Sequence, residues 1–242
     1  MFENFPKVRP ELPPEFKAIY AAQYKENREG RSTGSNLAQK LESWMHRKIA
    51  ADVLSGADQK TLEIGAGTLN QLEYEKASRP YDIVEPFAYL YENSPQLERV
   101  RRIYSDISDV PEGERYDRIT SIAAFEHICE LPEVVARAGL MLNEGGVLRV
   151  AIPSEGTFLW KLGYTVSTGF EFKRKYGLDY EVLMRHEHVN TAREIEEVLS
   201  YFFSEISTSV FGLIKAFSIY QVFICRNPHL VRCEGFVPKS PQ

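Results

Sequence analysis

The residues best placed to do chemistry lie where a glycine turn is followed by an acidic strand end. Gly65 and Gly67 follow the apolar segment 61–64, and Glu85 ends the next apolar segment, 82–85. Glycines lack a Cβ and let a ligand approach the backbone closely. A carboxylate at the tip of the next strand can accept hydrogen bonds from both hydroxyls of a ribose. The pattern predicts a nucleoside pocket at the carboxyl edge of a parallel sheet.

A second polar group follows the fourth predicted strand, residues 116–123, and so falls at the same edge. Glu126 and His127 lie there. A histidine could take the proton of an attacking hydroxyl because its pKa is near neutral. The alternative is structural: the pair opens a helix, and the positive end of the helix dipole favours Glu126. Both interpretations stay open from the sequence.

A histidine-rich segment lies further along, with His186, Glu187 and His188 in a row. Imidazoles two residues apart share one side only in an extended chain, and the sequence shows no third ligand. We therefore predict no metal site. The alternative is that these histidines have only a structural role in a local turn.

The order of the elements explains how such residues could share one edge. Apolar strands alternate with helices, which is typical of a parallel sheet with helices on both faces. A capping box at Thr191 and Glu194 opens a later helix. The predicted strands are residues 61–64, 82–85, 102–104, 116–123, 146–152, 204–209 and 218–226; the predicted helices are 15–28, one that begins after Ser35, and 69–76, 87–93 and 132–142.

We predict a doubly wound α/β fold with a seven-stranded, mostly parallel sheet whose last strand is antiparallel and comes from a hairpin. One domain would cover residues 1–242. Its parts are an N-terminal arm and helices (1–56), a core (57–152), a lid insert (153–190) and a C-terminal helix and hairpin (191–242). The lid insert is rich in aromatic residues and is expected to lie over the sheet edge.

Composition and charge narrow the possible partners. The net charge of −5 disfavours a nucleic-acid binder, which would usually present a basic face. We find no secretory signal and no apolar run long enough to span a membrane. Cys129, Cys225 and Cys233 are scattered, which favours a reducing compartment over a disulfide scaffold or a zinc site. We expect a cytoplasmic protein without nucleic-acid partners; the oligomeric state stays unpredicted.

Taken together, these motifs resemble the class I S-adenosylmethionine-dependent methyltransferases over residues 35–226. The resemblance is carried by the order and spacing of residues 63–68, Glu85, residues 106–107, residues 125–127 and the glycine pair 145–146. It implies S-adenosylmethionine as cofactor and methyl transfer to an oxygen or nitrogen of a small molecule. The aromatic lid suits stacking on sugar or aromatic rings, so we favour a carbohydrate or glycoconjugate precursor.

The resemblance also implies roles for individual residues. Glu63 would hold the cofactor's amino group, the two glycines its methionyl part, and Glu85 its ribose. Asp106 would bind the adenine amino group with Ile107 beside the ring, although Asp106 fits a helix cap equally well. Ala66, Asn70, Pro86 and Ala124 complete the expected cofactor site. His188 matches a histidine that often reaches the active site, and Glu126, His127 and His188 form the expected catalytic set; Tyr24, Arg31, Trp160 and His186 form the expected acceptor site.

One position departs from the resembled pattern. Leu69 stands where the third glycine is usual, and leucine resists a left-handed backbone. We therefore expect a rebuilt turn, with the following helix starting earlier and Asn70 making a polar contact.

Two alternatives stay open. A dinucleotide-dependent reductase also uses a glycine turn and a ribose carboxylate, but it would favour glycine near position 70 and gives the 204–226 hairpin no purpose. A non-catalytic S-adenosylmethionine-binding module is favoured by Leu69 and disfavoured by the acidic residues and His127.

Overall fold

The computed structural model describes residues 2–17, 19–20, 36–52, 58–75, 80–157 and 169–238. A seven-stranded sheet runs through it in the order β3-β2-β1-β4-β5-β7-β6. Strands β1 to β5 are parallel, and β7 is antiparallel to both of its neighbours. The predicted sheet is confirmed. The strands are β1 (Thr61–Ile64), β2 (Tyr81–Val84), β3 (Arg102–Tyr104), β4 (Tyr116–Ile122), β5 (Leu142–Pro153), β6 (Phe203–Gly212) and β7 (Ser218–Pro228).

The sheet carries helices on both faces, and its central strands are buried on both sides. All four residues of β1 and all four of β2 are buried, as expected for parallel strands covered on two sides. The helices are α1 (Asn36–Ile49), α2 (Ala88–Tyr91), α3 (Leu131–Met141), α4 (Phe170–Tyr176), α5 (Glu181–Glu187), α6 (Ala192–Phe202) and α7 (Leu230–Phe236). Helix α1 packs on β4, β5 and β7, whereas α3 packs against α6 and α7.

The alternating direction of side chains along a strand decides which helical layer each residue contacts. In β5, Ala151 faces the cluster of Met45 and Ile49 from α1. Its neighbours Val150 and Ile152 belong to the larger core with α3 and α6. Successive side chains of a strand point to opposite faces, so β5 packs against both helical layers. The carboxyl ends of β1 and β4 then lie between the layers, where the strand order reverses.

Local sequence rules account for helix α6. The side chain of Thr191 accepts a hydrogen bond from the Glu194 amide at 3.3 Å, and Glu194 accepts one from the Thr191 amide at 2.9 Å. This confirms the predicted capping box.

Two predicted elements differ from the structure, and one helix at the end of the described residues was not predicted. The helix expected at 69–76 is a 3-10 helix over Asn70–Glu73. Strand β5 begins at Leu142, directly after α3, and residues 143–146 form an irregular stretch before the pairing resumes at Val147. Helix α7 was not predicted. Its Cys233 packs against Gly139 of α3, where an added Cβ would lie 2.9 Å from the sulfur.

The N-terminal arm is packed onto the lid insert. Residues 14–17 form a helical turn. Leu12 and Phe16 are buried in one cluster with Phe172 of α4 and Leu183 of α5. Most of the predicted helix 15–28 and residues 158–168 of the insert lie outside the described residues. None of the helices in the described ranges has the length and apolar character needed to cross a membrane.

Candidate functional site

A cavity of about 480 Å³ opens at the carboxyl ends of β1 and β4. This volume suits a nucleoside-sized ligand. Six of the predicted site residues line it: Glu63, Gly65, Ala66, Gly67, Asn70 and His188. Tyr220 of β7 and residues of α1 form the opposite wall. The structure thus brings the predicted glycine turn and one predicted catalytic histidine to the same cavity.

The glycine turn needs its glycines for two different reasons. Gly65 has a φ of 72°, and a Cβ added there would lie 2.4 Å from the Cβ of Ala124. Ala124 therefore supports the turn from below by packing closely against it. Gly67 has a φ of 51°, but no atom lies within 4 Å of an added Cβ among the described residues. Its left-handed conformation favours glycine, whereas the space beside it is open for a ligand.

We expect Gly65→Ala to lower the free energy of unfolding by about 2–4 kcal/mol. About 1–2 kcal/mol comes from the left-handed backbone, and the remainder from overpacking against Ala124. Urea denaturation of the purified protein measures the change. Gly67→Ala is the matched control, because it carries only the backbone cost. Equal losses in the two variants would show that the contact with Ala124 has no energetic weight.

Glu85 holds the glycine turn from the neighbouring strand. Its Oε2 accepts a hydrogen bond from the Gly67 amide at 2.9 Å, and its Oε1 accepts one from the Phe87 amide at 3.0 Å. Burial raises the pKa of Glu85 above its usual value, although the two amides favour the charged form. Each carboxylate oxygen keeps a second lone pair for a ligand hydroxyl. Pro86, the next residue, is exposed.

Leu69 adopts the left-handed conformation that was thought to be closed to it. Its φ and ψ are 67° and 26°, so the prediction of a rebuilt turn was wrong. The side chain is fully buried with Leu72, Tyr81 and Ile83. Burying a leucine contributes about 1.5–3 kcal/mol, which offsets a backbone cost of about 1–2 kcal/mol. The following helix starts at Asn70 and not earlier.

Glu63 is a buried carboxyl group on the cavity wall. It lies within β1, and its Oε2 accepts a hydrogen bond from the Tyr81 hydroxyl at 2.7 Å. Burial raises the pKa of Glu63 to about 8, against the opposing influence of Tyr81, His46 and Arg118; Glu75 adds a like charge. The group is therefore largely protonated near neutral pH in the absence of a cationic ligand.

This raised pKa predicts a pH dependence of stability. In the unfolded chain Glu63 ionises near 4.5, and in the folded protein only near 8. The contribution of the Glu63 carboxyl to the stability of the folded protein is therefore fully present below about pH 4.5 and is lost as the pH rises through about 8. We expect Glu63→Gln, which cannot ionise, to unfold at a higher urea concentration than the wild type at about pH 9. The expected gain in the free energy of unfolding is on the order of a few kcal/mol.

The same comparison at about pH 3 should show a much smaller difference, since Glu63 is then mostly protonated in both the folded and the unfolded state and Gln carries no charge in either. Glu92→Gln serves as the control because Glu92 is exposed. If Glu63→Gln and Glu92→Gln follow the same stability profile between these pH values, the carboxyl of Glu63 ionises without a folding cost.

Asp106 and Ile107 lie just after β3, at the same edge of the sheet. Asp106 is exposed, and its Oδ1 accepts hydrogen bonds from the Ser108 amide at 2.8 Å and the Ser108 hydroxyl at 2.6 Å. With Asp109 it forms a capping box, so the helix-cap interpretation is confirmed. Ile107 is buried in the main core. The predicted contacts of both residues with an adenine ring stay predictions.

Glu126, His127 and His188 lie close together, and His188 is the member of the three that lines the cavity. Glu126 and His127 lie in the 3-10 turn after β4, and His188 directly follows α5. The two imidazole rings pack edge to face with centroids 4.9 Å apart. Glu126 Oε1 lies 3.9 Å from His127 Nε2. Burial raises the pKa of Glu126 to about 7. The expected catalytic set is therefore one cluster.

Backbone contacts lock the two segments of this cluster together. The Val189 and Asn190 amides donate to the carbonyl of Glu126 at 2.9 and 3.1 Å. The Asn190 side-chain amide donates to the carbonyls of Phe125 and Ile128 at 2.9 and 2.7 Å. The buried Asn190 thus fixes how the turn after β4 meets the segment that carries His188.

The N-terminal arm also reaches this cluster. The guanidinium of Arg9 donates to the carbonyls of His186 and Glu187 at 2.9 and 3.0 Å, and to the carbonyl of His127. His186 itself contacts the carbonyl of Pro10 through Nδ1 at 2.7 Å, and its ring packs against Tyr20. His186 is therefore oriented toward the arm. Tyr24, Arg31 and Trp160, predicted for the acceptor site, lie outside the described residues.

Sequence reasoning missed Glu155, which orients His188. The Glu155 carboxylate lies 2.8 Å from His188 Nδ1. Glu155 follows β5 by two residues, at the carboxyl edge of the sheet. The sequence could have identified Glu155 by this position, because the other predicted site residues also follow strands at the carboxyl edge of the sheet. Tyr220 on β7 was missed because its strand is antiparallel and enters the cavity from its other end.

Comparison with known proteins supports the fold. No protein-family model and no curated protein sequence matches the chain. The plantazolicin methyltransferase BpumL, in complex with a monoazolic desmethylPZN analog and SAH, matches with a TM-score of 0.60 and 14% identity, over 88% of this chain and 92% of that one. The N-methyltransferase NodS from Bradyrhizobium japonicum WM9, in complex with S-adenosyl-l-homocysteine, gives 0.56 and 15%, over 82% and 91%.

A third match is an O-methyltransferase family protein from Burkholderia thailandensis, with a TM-score of 0.51 and 14% identity over 78% of this chain. This chain spans 56% of that protein's length. At these identities the similarity shows the fold, which is that of the class I S-adenosylmethionine-dependent methyltransferases. The resemblance inferred from the motifs is confirmed at this level.

Proposed function

We propose that this protein transfers a methyl group from S-adenosylmethionine to an oxygen or nitrogen of a small molecule. The observation that carries the proposal is the pair of buried carboxyl groups, Glu63 and Glu85, around an open glycine turn. The cofactor has an ammonium, a sulfonium and a ribose diol, and no phosphate. Carboxylates attract such a ligand, whereas they would repel the pyrophosphate of a dinucleotide.

Two parts of the cofactor then have partners. Glu85 would accept hydrogen bonds from the ribose hydroxyls while it keeps its amide contacts with Gly67 and Phe87. The methionyl part would lie against the glycine turn, where the space beside Gly67 is open. Its ammonium beside Glu63 would favour the ionised carboxylate, so binding would release the proton that burial retains.

The reaction is an in-line displacement. The acceptor's lone pair forms a new bond to the methyl carbon, the carbon–sulfur bond breaks, and its electron pair leaves with sulfur as a neutral thioether. The protein mainly has to align the acceptor and exclude water. A hydroxyl acceptor must also lose its proton, and we assign this step to the cluster of Glu126, His127 and His188. Glu155 orients His188 for it.

The proposed acceptor class rests on the aromatic composition of the lid insert and on Tyr220, which lines the cavity. In the insert, Phe172 packs against Tyr176 of the same helix and against Tyr180, which precedes α5. Aromatic faces suit sugar or aromatic rings. We therefore keep a carbohydrate or glycoconjugate precursor as the proposed acceptor. The net charge of −5 supports a small molecule over a nucleic acid.

The cysteines support a reducing, cytoplasmic environment as part of the proposal. Cys129, Cys225 and Cys233 are all free. Burial raises the pKa of Cys233 to about 11, so it behaves as a packing residue and not as a nucleophile.

Calorimetric titration and turnover test the function. The purified protein is titrated with S-adenosylmethionine, S-adenosylhomocysteine, NADH and NADPH, and then incubated with methyl-labelled S-adenosylmethionine and a panel of sugars, glycosides and aromatic alcohols. Binding of the two sulfur nucleosides and label transfer to one acceptor class support the proposal. Binding of NADPH without S-adenosylmethionine would favour the reductase and contradict it.

A further inference from the structure

We infer that Glu126, His127 and His188 form a binding site for a divalent transition-metal ion. The three side chains offer a carboxylate oxygen and two imidazole nitrogens, and these atoms lie within 4.8 Å of one another. The sequence alone pointed to His186, Glu187 and His188 and found no third ligand. The fold replaces that set: His186 turns to the N-terminal arm, and the turn after β4 supplies Glu126 and His127 instead.

Both imidazoles are held in the way metal ligands are usually held. His127 Nδ1 lies 2.9 Å from the carbonyl of Glu187, and His188 Nδ1 lies 2.8 Å from the carboxylate of Glu155. A ring that donates its Nδ1 proton to an oxygen carries a lone pair on Nε2, which is the tautomer that binds a metal. One carbonyl and one carboxylate thus fix the orientation of two neighbouring rings.

Glu126 supplies the strongest indication of a missing cation. Its side chain is 2% exposed, and its Oε2 is buried with no hydrogen-bond partner among the described residues. A buried carboxylate oxygen without a partner is costly and calls for an explanation. A cation coordinated by this oxygen and by the two imidazoles would satisfy it.

The backbone around the cluster is organised enough to hold such a site. The Glu126 carbonyl accepts hydrogen bonds from the Val189 and Asn190 amides, and the Asn190 side chain bridges to Phe125 and Ile128. The two ligand-bearing segments therefore stay in register whether or not an ion is bound. A metal site requires this kind of support because small displacements of its ligands abolish the geometry.

The donor set defines the class of ion. Two imidazoles and one carboxylate suit zinc, iron(II), cobalt(II) or manganese(II), whereas magnesium and calcium prefer oxygen ligands alone. Three protein ligands leave coordination positions for other molecules. His188 lines the cavity, so an open position would face the acceptor. This last point depends on the proposed function: the ion would bind the acceptor oxygen and make its proton easier to lose to solvent.

The test is metal binding by the full-length protein, without cofactor or acceptor. The protein is stripped with a chelator and titrated with cobalt(II), followed by its visible absorption, and with zinc(II) by calorimetry. We expect one equivalent to bind. We expect Glu126→Gln, His127→Ala and His188→Ala each to weaken binding by about 100-fold or more, and Glu155→Gln, which orients His188, by about 10- to 100-fold.

The comparison variant is His186→Ala, which removes the other histidine of the segment. It should leave the cobalt affinity and spectrum unchanged; a loss equal to that of His188→Ala would place the ion at the wrong residues and overturn the inference. Circular dichroism and melting without metal confirm that each variant is folded. If a variant of a metal ligand is not folded, the cobalt affinity of Glu155→Gln and the cobalt spectrum of the wild type test the inference. An unchanged affinity in Glu155→Gln together with no cobalt spectrum in the wild type would overturn it.

Failure of this inference and failure of the proposed function are separable. Cobalt binding that depends on the three ligands, with no affinity for S-adenosylmethionine, supports the metal site and removes the function. Binding of S-adenosylmethionine without stoichiometric binding of cobalt or zinc supports the proposed function and overturns the metal site.

Discussion

Glu85→Ala is expected to weaken S-adenosylmethionine binding by about 10- to 150-fold, equivalent to a loss of about 1.5–3 kcal/mol. The substitution removes the acceptor proposed for the ribose hydroxyls. It also releases the Gly67 and Phe87 amides, which the carboxylate now holds at 2.9 and 3.0 Å. Both effects act on the same ligand, because the Gly67 amide is part of the turn on which the methionyl group would lie. Calorimetric titration with the cofactor measures the change.

Two further variants separate these effects. Glu85→Gln keeps the shape of the side chain and one acceptor oxygen, so we expect an intermediate loss. Glu92→Ala removes an exposed carboxylate that follows α2, and it should bind the cofactor as the wild type does. A folded Glu85→Ala protein with wild-type affinity would remove the ribose role of this carboxylate.

His188→Ala is expected to lower kcat by about 100-fold or more while the affinity for S-adenosylmethionine stays within about twofold of the wild type. His188 is the histidine of the cluster that lines the cavity, and Glu155 orients it. Its loss removes the group that we propose to act on the acceptor and leaves the contacts of Glu85 with the glycine turn intact. Steady-state kinetics with an identified acceptor, together with cofactor titration, measures the two quantities.

The control for this prediction is His229→Ala. His229 precedes helix α7, does not line the cavity, and contacts Phe202 and Cys233 through its backbone. We expect its kcat to match that of the wild type. Full activity of His188→Ala would assign this histidine a structural role and leave His127 as the remaining base or ligand in the cluster.

The parts of this protein that the sequence predicted well are those decided by neighbouring residues. Strand β1 and its glycine turn follow from a four-residue segment with Leu62 and Ile64 and from the two glycines after it. The capping box at Thr191 is complete within four residues. The alternation of strands and helices then limits the topology to a parallel sheet, and the carboxyl edge of that sheet gathers the glycine turn, Glu85 and the Glu126–His127 pair.

The errors arise where distant residues decide the outcome. Leucine at position 69 is unfavourable in a left-handed turn by local rules, but burial against Tyr81 and Ile83 reverses the balance. The helix expected at 69–76 starts at Asn70 because the turn before it is kept. Likewise, the contact between Glu85 and the Gly67 amide joins two strands, and no local pattern shows it.

The same reason explains the incomplete prediction of the cluster of Glu126, His127 and His188. His127 and His188 were chosen separately, and the sequence could not show that their rings touch. Their meeting depends on helix α5 and on Asn190, whose side chain bonds to the turn after β4. Glu155, the partner of His188, comes from a third segment after β5. Three separate stretches of the chain must fold before the cluster exists.

The N-terminal arm adds a consequence for how the protein matures. Arg9 bonds to carbonyls at positions 127, 186 and 187, and Phe16 packs on the two lid helices. During synthesis the arm leaves the ribosome before the lid insert, yet its binding surface is complete only after residue 187 has emerged. The arm therefore settles long after it is made, and the end of the cavity that holds His188 is assembled only once the insert has been translated.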